Sequence, residues 1–483
     1  MGTINSAFGL ISEALDADQS ALNVVANNVA NANTPGYTTE KPNWEENSPI
    51  TINGITIGEG VTQTGGVSER DRILEQRLDQ QQQLASASGT RLSGLNEMQA
   101  LFTPDSGVTG ATAGDIGSDI TNFFDSFSTL ETDPSDNALR ESVLSSAQTL
   151  AGDISGAAAS LNSQRSAIDQ EAAGIAGQVN SLTTALAEIN QEIQSNSPAA
   201  DAGTLEDQRQ QDLSQLSQLI GINQVTTSNN GLEITTTSGQ LLVSNGESYQ
   251  LTTGTVSGVT DFFLGGNDIT AGLTSGGGQL GGYLTARDQD IPNAMSSLDQ
   301  LAYSISTNVN SVNNAGTNLN GVEGTGTNAS GVTGTGTTPL YIFNQPTTVA
   351  GSAAAMAVTM TDPNQIAAAG FGDGTDDNSN AILMAGLAGQ QIVSSQTPIN
   401  YYSNFVTTLG STVSEVQTEN TAQNASVSQL QTQNNALSSV NLNDQAAAMS
   451  TLETSYQAAA QVFTMLNTII SSALNLGVQT AVS

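Results

Sequence analysis

Three groups of residues in this 483-residue chain have side chains or spacing suited to chemistry. Gly276, Gly278 and Gly281 satisfy G-x-G-x-x-G, the spacing that brings backbone N–H groups onto a phosphate. That chemistry needs a preceding strand, a following helix and an acidic residue ending a second strand. Thr274-Ser275-Gly276 is a poor strand end, and helical sequence stands where the second strand belongs. With 48 glycines a chance match is expected, and a loop is the reading. Asp373, Asp376, Asp377 and Asn378 offer oxygen ligands for calcium, but the EF-hand spacing and its closing glutamate are absent. Capping of a long helix that starts at Asn378 is expected instead. The Tyr37, Tyr401, Tyr402 and Tyr456 hydroxyls have no identifiable basic partner, so packing or interface contact is expected of them. Histidine and cysteine are both absent. This removes the commonest general acid–base group, any disulfide and any thiolate metal site. No nucleophile–base pair can be proposed. The chain reads as a non-enzyme, with no catalytic residue, cofactor or metal.

The helices say more. Near the start, Ile4, Phe8, Ile11, Leu15, Leu22, Val25, Val29 and Ala32 follow steps of four and three, with Asp18 as the polar break. Near the end, Met449, Leu452, Tyr456, Ala459, Phe463, Leu466, Ile470 and Ala473 do the same. Such stepping lays the side chains along one stripe of a helix, and an exposed stripe needs a partner. Two terminal helices of this kind predict that the chain pairs its own ends and then packs against copies of itself.

Between them the spacing predicts a helix over 3–33 stopped by Pro35-Gly36, then an extended stretch to about Val67. A second helix runs from Arg70 to Phe102 with Ile73, Leu84, Leu92, Leu95, Met98 and Phe102 apolar. Gly107 to Gly114 reads as a loop, and a short helix carries Ile116 to Phe127. Asp133-Pro134-Ser135-Asp136 has the chemistry of a turn and an N-cap. Heptad steps from Leu144 to Ile193, interrupted by Arg165, predict a rod of ~60 residues, roughly 90 Å long, ended by Ser197-Pro198. A helix over 204–219 precedes strand-like alternation at 222–270. Helical spacing returns over 284–312, and 316–338 is a Gly/Thr/Asn-rich low-complexity loop. A long helix over 378–437, with Ile382, Leu387, Ile392 and Phe405 among its apolar positions, precedes a terminal helix capped at Asn443.

The expected fold is mainly α with a smaller β part. Residues 1–42 and 441–483 form a terminal coiled coil, and 43–69 an extended linker. Residues 70–330 and 363–440 form a long-helix bundle with β segments at about 222–270.

Charge narrows the partners. Nine basic residues, Lys41 and eight arginines, face 45 acidic ones, for a net charge of −36. Lys and Arg carry binding to phosphate backbones and anionic membrane surfaces, so neither nucleic acid nor membrane is an expected partner. No apolar run approaches ~18 residues. The N-terminus lacks a basic region and compact apolar core, so no cleaved secretory signal is expected.

Two segments carry a resemblance. Ala26 to Thr38, with Asn27, Asn28, Asn31, Asn33, Thr34, Pro35, Gly36 and Tyr37, resembles the N-terminal signature of bacterial flagellar rod, hook and hook-associated proteins. Val440 to Asn443 with Ser455 to Val462, which includes Tyr456, Gln457, Ala458, Gln461 and Val462, resembles the matching C-terminal signature. Within that superfamily, Leu205 to Leu213 running into Ile222, and Gly278 to Pro292, are similar to segments of hook–filament junction proteins. The Asp373 to Asn380 stretch fits as well. Family members commonly carry an outer β domain between the Leu340–Phe343 region and the segment matching Asp362 to Ala369. Here about twenty residues join them, so 331–362 is expected to be a short remnant.

The resemblance implies a structural subunit that forms a ring of about eleven copies on the distal hook and supports filament growth. Its implied partners are hook protein, the next hook-associated protein with the filament, and an export chaperone on the C-terminal helix. It implies passage through the flagellar type III export channel to an extracellular position. The stripes above would be buried in assembly. The rival readings are another axial protein, hook or distal rod, and a secreted adhesin or enzyme on a flagellar scaffold.

Overall fold

The computed structural model describes residues 2–52, 55–102, 115–196 and 201–480. The loop expected at 107–114 and the stop at Ser197-Pro198 lie outside the described residues. The fold is mainly helical, with small antiparallel sheets. Helix α1 spans Gly2–Asn31, and strands β1 (Glu40–Glu46), β2 (Ile50–Ile52), β3 (Ile55–Ile57) and β4 (Val61–Ser68) follow. The stretch expected to be an extended linker is therefore two antiparallel ribbons, β1 with β4 and β2 with β3. The ribbon lies against α1, where Asn47 Nδ2 donates to Glu13 Oε2 at 3.1 Å.

Helix α2 (Arg72–Phe102) and α3 (Ile116–Leu130) lead to α4 (Asn137–Asn196), a single 60-residue helix. Asp136 Oδ1 caps it by accepting from the Ala138 amide at 2.6 Å. At 1.5 Å per residue α4 is about 90 Å long, so one hydrophobic core cannot cover it. Two do. Its first half, from Val143 to Ile168, packs with α2, α3 and later helices. Its second half, from Ala172 to Ala187, packs under the β region.

That region starts with α5 (Thr204–Leu219). The strands β5 (Ile222–Thr226), β6 (Leu232–Thr236), β7 (Leu241–Ser244) and β8 (Glu247–Ser248) form one sheet in that order. Strands β9 (Leu251–Val256), β10 (Val259–Leu264) and β11 (Asn267–Asp268) form another, with β10 central. Alternation in β6 turns Leu232, Ile234 and Thr236 inward, as period-two spacing dictates.

Helices α6 (Thr270–Thr274) and α7 (Gly278–Thr285), a π turn at Ala286–Asp290 and α8 (Ile291–Asn313) come next. The helix expected at 284 thus begins at Gly278. The G-x-G-x-x-G glycines follow a helix, not a strand, and serve packing. A Cβ on Gly278, whose φ is +71°, would stand 2.5 Å from the Ile220 backbone nitrogen. A Cβ on Gly282 would stand 2.4 Å from the Ala87 carbonyl oxygen of α2.

The segment read as a low-complexity loop is ordered by a ten-residue repeat, GTNLNGVEGT over 316–325 and GTNASGVTGT over 326–335. Asn318 Oδ1 accepts from the Asn320 and Val322 amides at 3.0 Å. Asn328 Oδ1 repeats this with Ser330 at 3.1 Å and Val332 at 3.0 Å. The Gly336 amide bonds the Gly324 carbonyl at 3.3 Å, stacking the second unit on the first. The expected remnant, with α9 (Ser352–Ala355), belongs to the main core through Ile342, Phe343, Ala353, Met356 and Met360.

The long helix expected from Asn378 is broken. Helix α10 (Ser379–Gly386) ends at a 3-10 turn, and α11 (Pro398–Ser438) begins with proline at its first position. Pro398 fits a first turn but not a helix interior. The cap ahead of α10 comes from Asp377 Oδ2, 3.2 Å from the Ser379 amide, while Asn378 Nδ2 donates to the Glu131 carbonyl at 2.7 Å. Helix α12 (Leu442–Thr480) is capped by Asn441, not Asn443: Asn441 Oδ1 accepts from the Asn443 amide at 3.0 Å. Ile73, Leu84 and Ile382, expected inside, are exposed.

Candidate assembly site

Helices α1 and α12 run antiparallel. At one end the Phe8 and Phe463 rings lie 4.4 Å apart at 40°; toward the other, Asn28 Nδ2 donates to Gln445 Oε1 at 3.0 Å. Ala17, Ala21, Val25 and Asn28, spaced four, four and three, are the buried residues of α1. Small alanines let neighbouring backbones approach. Phe8, Ile11, Leu15, Leu22, Met449, Leu452, Phe463, Leu466 and Ile470 are half-buried. Val29 and Tyr456, expected in the same stripes, are exposed. The side chain of Ile4 lies outside the described residues. The first half of the α1 stripe faces inward as spaced, whereas its second half is rotated so that Ala21 and Asn28, not Val29, face the interior.

A second apolar stripe on α12 has no cover among the described residues. Val462, Met465 and Ile469 are 38%, 57% and 53% exposed. Gln457, Ala458 and Gln461 share the exposed side of the helix. The C-terminal signature residues thus stand outside the α1–α12 contact.

The N-terminal signature builds a turn. Asn31 Nδ2 donates to the Asn27 carbonyl at 3.1 Å, and Thr34 Oγ1 to Asn31 Oδ1 at 3.2 Å. Gly36 takes φ +79°, which glycine adopts without Cβ strain. Asn33, Thr34 and Pro35 stay exposed. Asn28, fully buried, is the hub. Its Oδ1 accepts from the Tyr37 hydroxyl at 2.8 Å and the Glu40 amide at 2.9 Å, and its Nδ2 donates to the Glu40 carbonyl at 2.7 Å. Burial, then the nearby Glu40 and Asp207 charges, pushes the Tyr37 hydroxyl up to about 12. It is a neutral donor here, not a nucleophile.

This turn is tied to the bundle by residues the sequence did not single out for that role. The Thr38 amide donates to Asp207 Oδ2 at 3.0 Å, and the Thr39 amide to the Ser438 carbonyl at 2.8 Å. Ser68 donates through its amide and hydroxyl to Asp201, each at 2.8 Å. Arg70 pairs with Asp207 and lies 3.6 Å from Glu206, which also receives Arg72 at 2.8 Å. Burial alone would raise Glu206, but the Asn230 hydrogen bond and the Arg70 and Arg72 charges outweigh it and hold its carboxyl below the ordinary range. Nearby on α2, Glu75 and Asp79 are 6% and 1% exposed. The sequence signal was there: in a chain with nine basic residues, Arg70 and Arg72 stand together at the start of the first long helix after the signature segment.

Tyr402 is buried beside Phe405, and Tyr401 is half-buried. Among the described residues no three His, Cys, Asp or Glu side chains are placed to hold a metal ion, and no helix is long and apolar enough to cross a membrane.

The arrangement is one of packing and joining, and the chain is similar to known proteins. A family model described as Flagellar hook-associated protein FlgK helical domain matches residues 105–328. One described as Flagella basal body rod protein matches residues 12–38, across the N-terminal turn. Flagellar hook-associated protein 1 of Salmonella typhimurium is 27% identical over 314 residues, 62% of this chain and 55% of that protein. The match therefore spans about half the length of that relative. Flagellar hook-associated protein 1 of Bacillus subtilis is 24% identical over 508 residues, 96% of each. The flagellar hook junction protein FlgK from Burkholderia pseudomallei shares the fold, with TM-score 0.62 and 18% identity over 74% of this chain and 99% of that one.

Proposed function

We propose that the chain belongs to the FlgK family of flagellar hook-associated proteins and is a structural, non-enzymatic subunit of the hook–filament junction. The observation that carries this reading is the uncovered stripe of Val462, Met465 and Ile469, beside a stripe already turned to α1. A helix with two apolar faces is built for two neighbours, and one chain supplies one of them. In this reading residues 1–42 and 441–483 form the axial layer, a ring of about eleven copies seated on hook protein. The next hook-associated protein and the filament follow. An export chaperone covers α12 before assembly, and the subunit reaches its extracellular place through the flagellar export channel.

Fully burying a side chain of this size contributes about 1.5–3 kcal/mol per subunit. Met465→Asp is expected to leave the helix content of the monomer unchanged and to keep the protein off the hook. Leu466→Asp, on the stripe facing α1, is expected to do the same while also loosening the terminal pair. Circular dichroism and electron microscopy of hooks read the two effects, and normal filaments with both variants would sink the stripe assignment. Deleting the gene separates the axial rivals: intact hooks with secreted, unassembled flagellin support the junction role, and missing hooks favour hook or rod protein.

A further inference from the structure

The joint between the terminal turn and the bundle holds a cleft of about 380 Å³, lined by Tyr37, Glu75, Asp79, Asp207, Gln211 and Asn434 among others. Two of its acceptors have no donor among the described residues. Glu75 is 6% exposed and accepts no hydrogen bond among the described residues. Asn434 Oδ1 is buried without a partner. Asp79 is served by the Gln210 and Gln224 amides at 3.0 and 2.8 Å, and Asp207 by Arg70 and Thr38. Buried acceptors without donors are costly, so the cleft suits a donor-rich cation. No three carboxylates among the described residues are placed for a metal ion. A guanidinium, which spreads five donors over a plane, fits such a cleft better than a point charge.

Among the described residues one guanidinium is uncommitted. Lys41 pairs with Glu69, and Arg70, Arg72, Arg91 and Arg287 pair with carboxylates. Arg140, Arg165 and Arg209 donate to backbone carbonyls. Arg77 is exposed on α2 and, among the described residues, has no hydrogen-bond or ion-pair partner. It lies two residues from both Glu75 and Asp79, about 200° around the helix from each. It therefore points away from its own cleft. Donor and acceptor on opposite sides of one subunit make a head-to-tail contact, the kind that closes rings or extends helices.

We propose that the joint cleft is a receptor for Arg77 of a neighbouring copy, whose guanidinium meets the Glu75 carboxylate and the Asn434 side-chain oxygen. This rests on the ring assembly proposed above and adds a specific contact to it. Burial pushes the Glu75 carboxyl up to about 7, with Asp79, Asp207 and Glu206 raising it and Arg70 lowering it. An arriving guanidinium draws that proton off, so assembly releases protons near neutral pH.

The chain has no cysteine, which makes the test direct. Ile73→Cys, one turn from Arg77 and exposed like it, and Gln211→Cys are placed in one full-length chain, assembled on hooks and treated with a short thiol cross-linker. A covalent ladder is expected from the double variant and only monomers from either single variant. Separately, Glu75→Arg and Arg77→Glu should each lower assembly at least tenfold, and the two together should restore it. Circular dichroism of each monomer confirms folding. Rings visible at the hook tip with no ladder and no effect of Arg77→Ala would overturn the cleft contact and leave the junction role standing. Protein absent from the junction altogether would overturn both.

Discussion

Glu75 shows what one carboxyl at the joint costs the isolated chain. Its acid is held near 7 by burial, against an ordinary value of 4.5. The folded state therefore binds the proton more tightly than the unfolded state. Stability from this group is full below about 4.5 and falls as pH rises to about 7. Glu75→Gln removes that dependence, so urea unfolding should find it more stable than the parent by about 1–3 kcal/mol at pH 8 and equal to it at pH 4. An unchanged difference across that range would mean the carboxyl is solvated. A variant that strengthens the monomer yet weakens assembly would mark Glu75 as kept for its partner. The residue scale was also where the sequence was hardest to read. Asn28 and Tyr37 stood inside a recognisable segment, but Asp207 meets Thr38 from 169 positions away. Nothing in local spacing announces such a pair.

Elements were legible where periodicity ran unbroken. The 60-residue α4 and the bounds of α5 at Thr204–Leu219 follow directly from apolar spacing and turn chemistry. The break before α11 is written at Pro398, which suits a first turn and not a helix interior, but apolar residues on both sides of it masked that signal. The ribbons at 40–68 were hidden because their strands are short and mostly exposed, leaving little hydrophobic alternation to read. At this scale Gly282 is the sharpest constraint, since α7 crosses α2 with the Ala87 carbonyl where a Cβ would be. Gly282→Val should cost about 3 kcal/mol in chemical denaturation, with Gly282→Ala less severe. Equal stability of the valine variant would mean the two helices separate freely.

At the scale of the molecule, most of the nine cations are drawn into the fold while most of the 45 acids must meet solvent. A surface of one sign repels itself and its copies. Raising ionic strength from 0.01 to 1 M shortens the screening length from about 30 to about 3 Å. The melting temperature should climb along that series, with each 1 kcal/mol worth about 1 °C in a chain of this length, and assembly should strengthen with it. A flat response would show that the acids are already compensated. The stacked repeat at 316–335 has a different consequence. Its two units share one hydrogen-bond plan, and the Thr335 amide and hydroxyl tie the second to Glu323 of the first, each at 2.8 Å. In-frame slippage of the coding repeat would add or remove a whole rung built on that same plan. That makes this stack the place where copy-number variation between strains, or a grafted foreign peptide, is most easily borne.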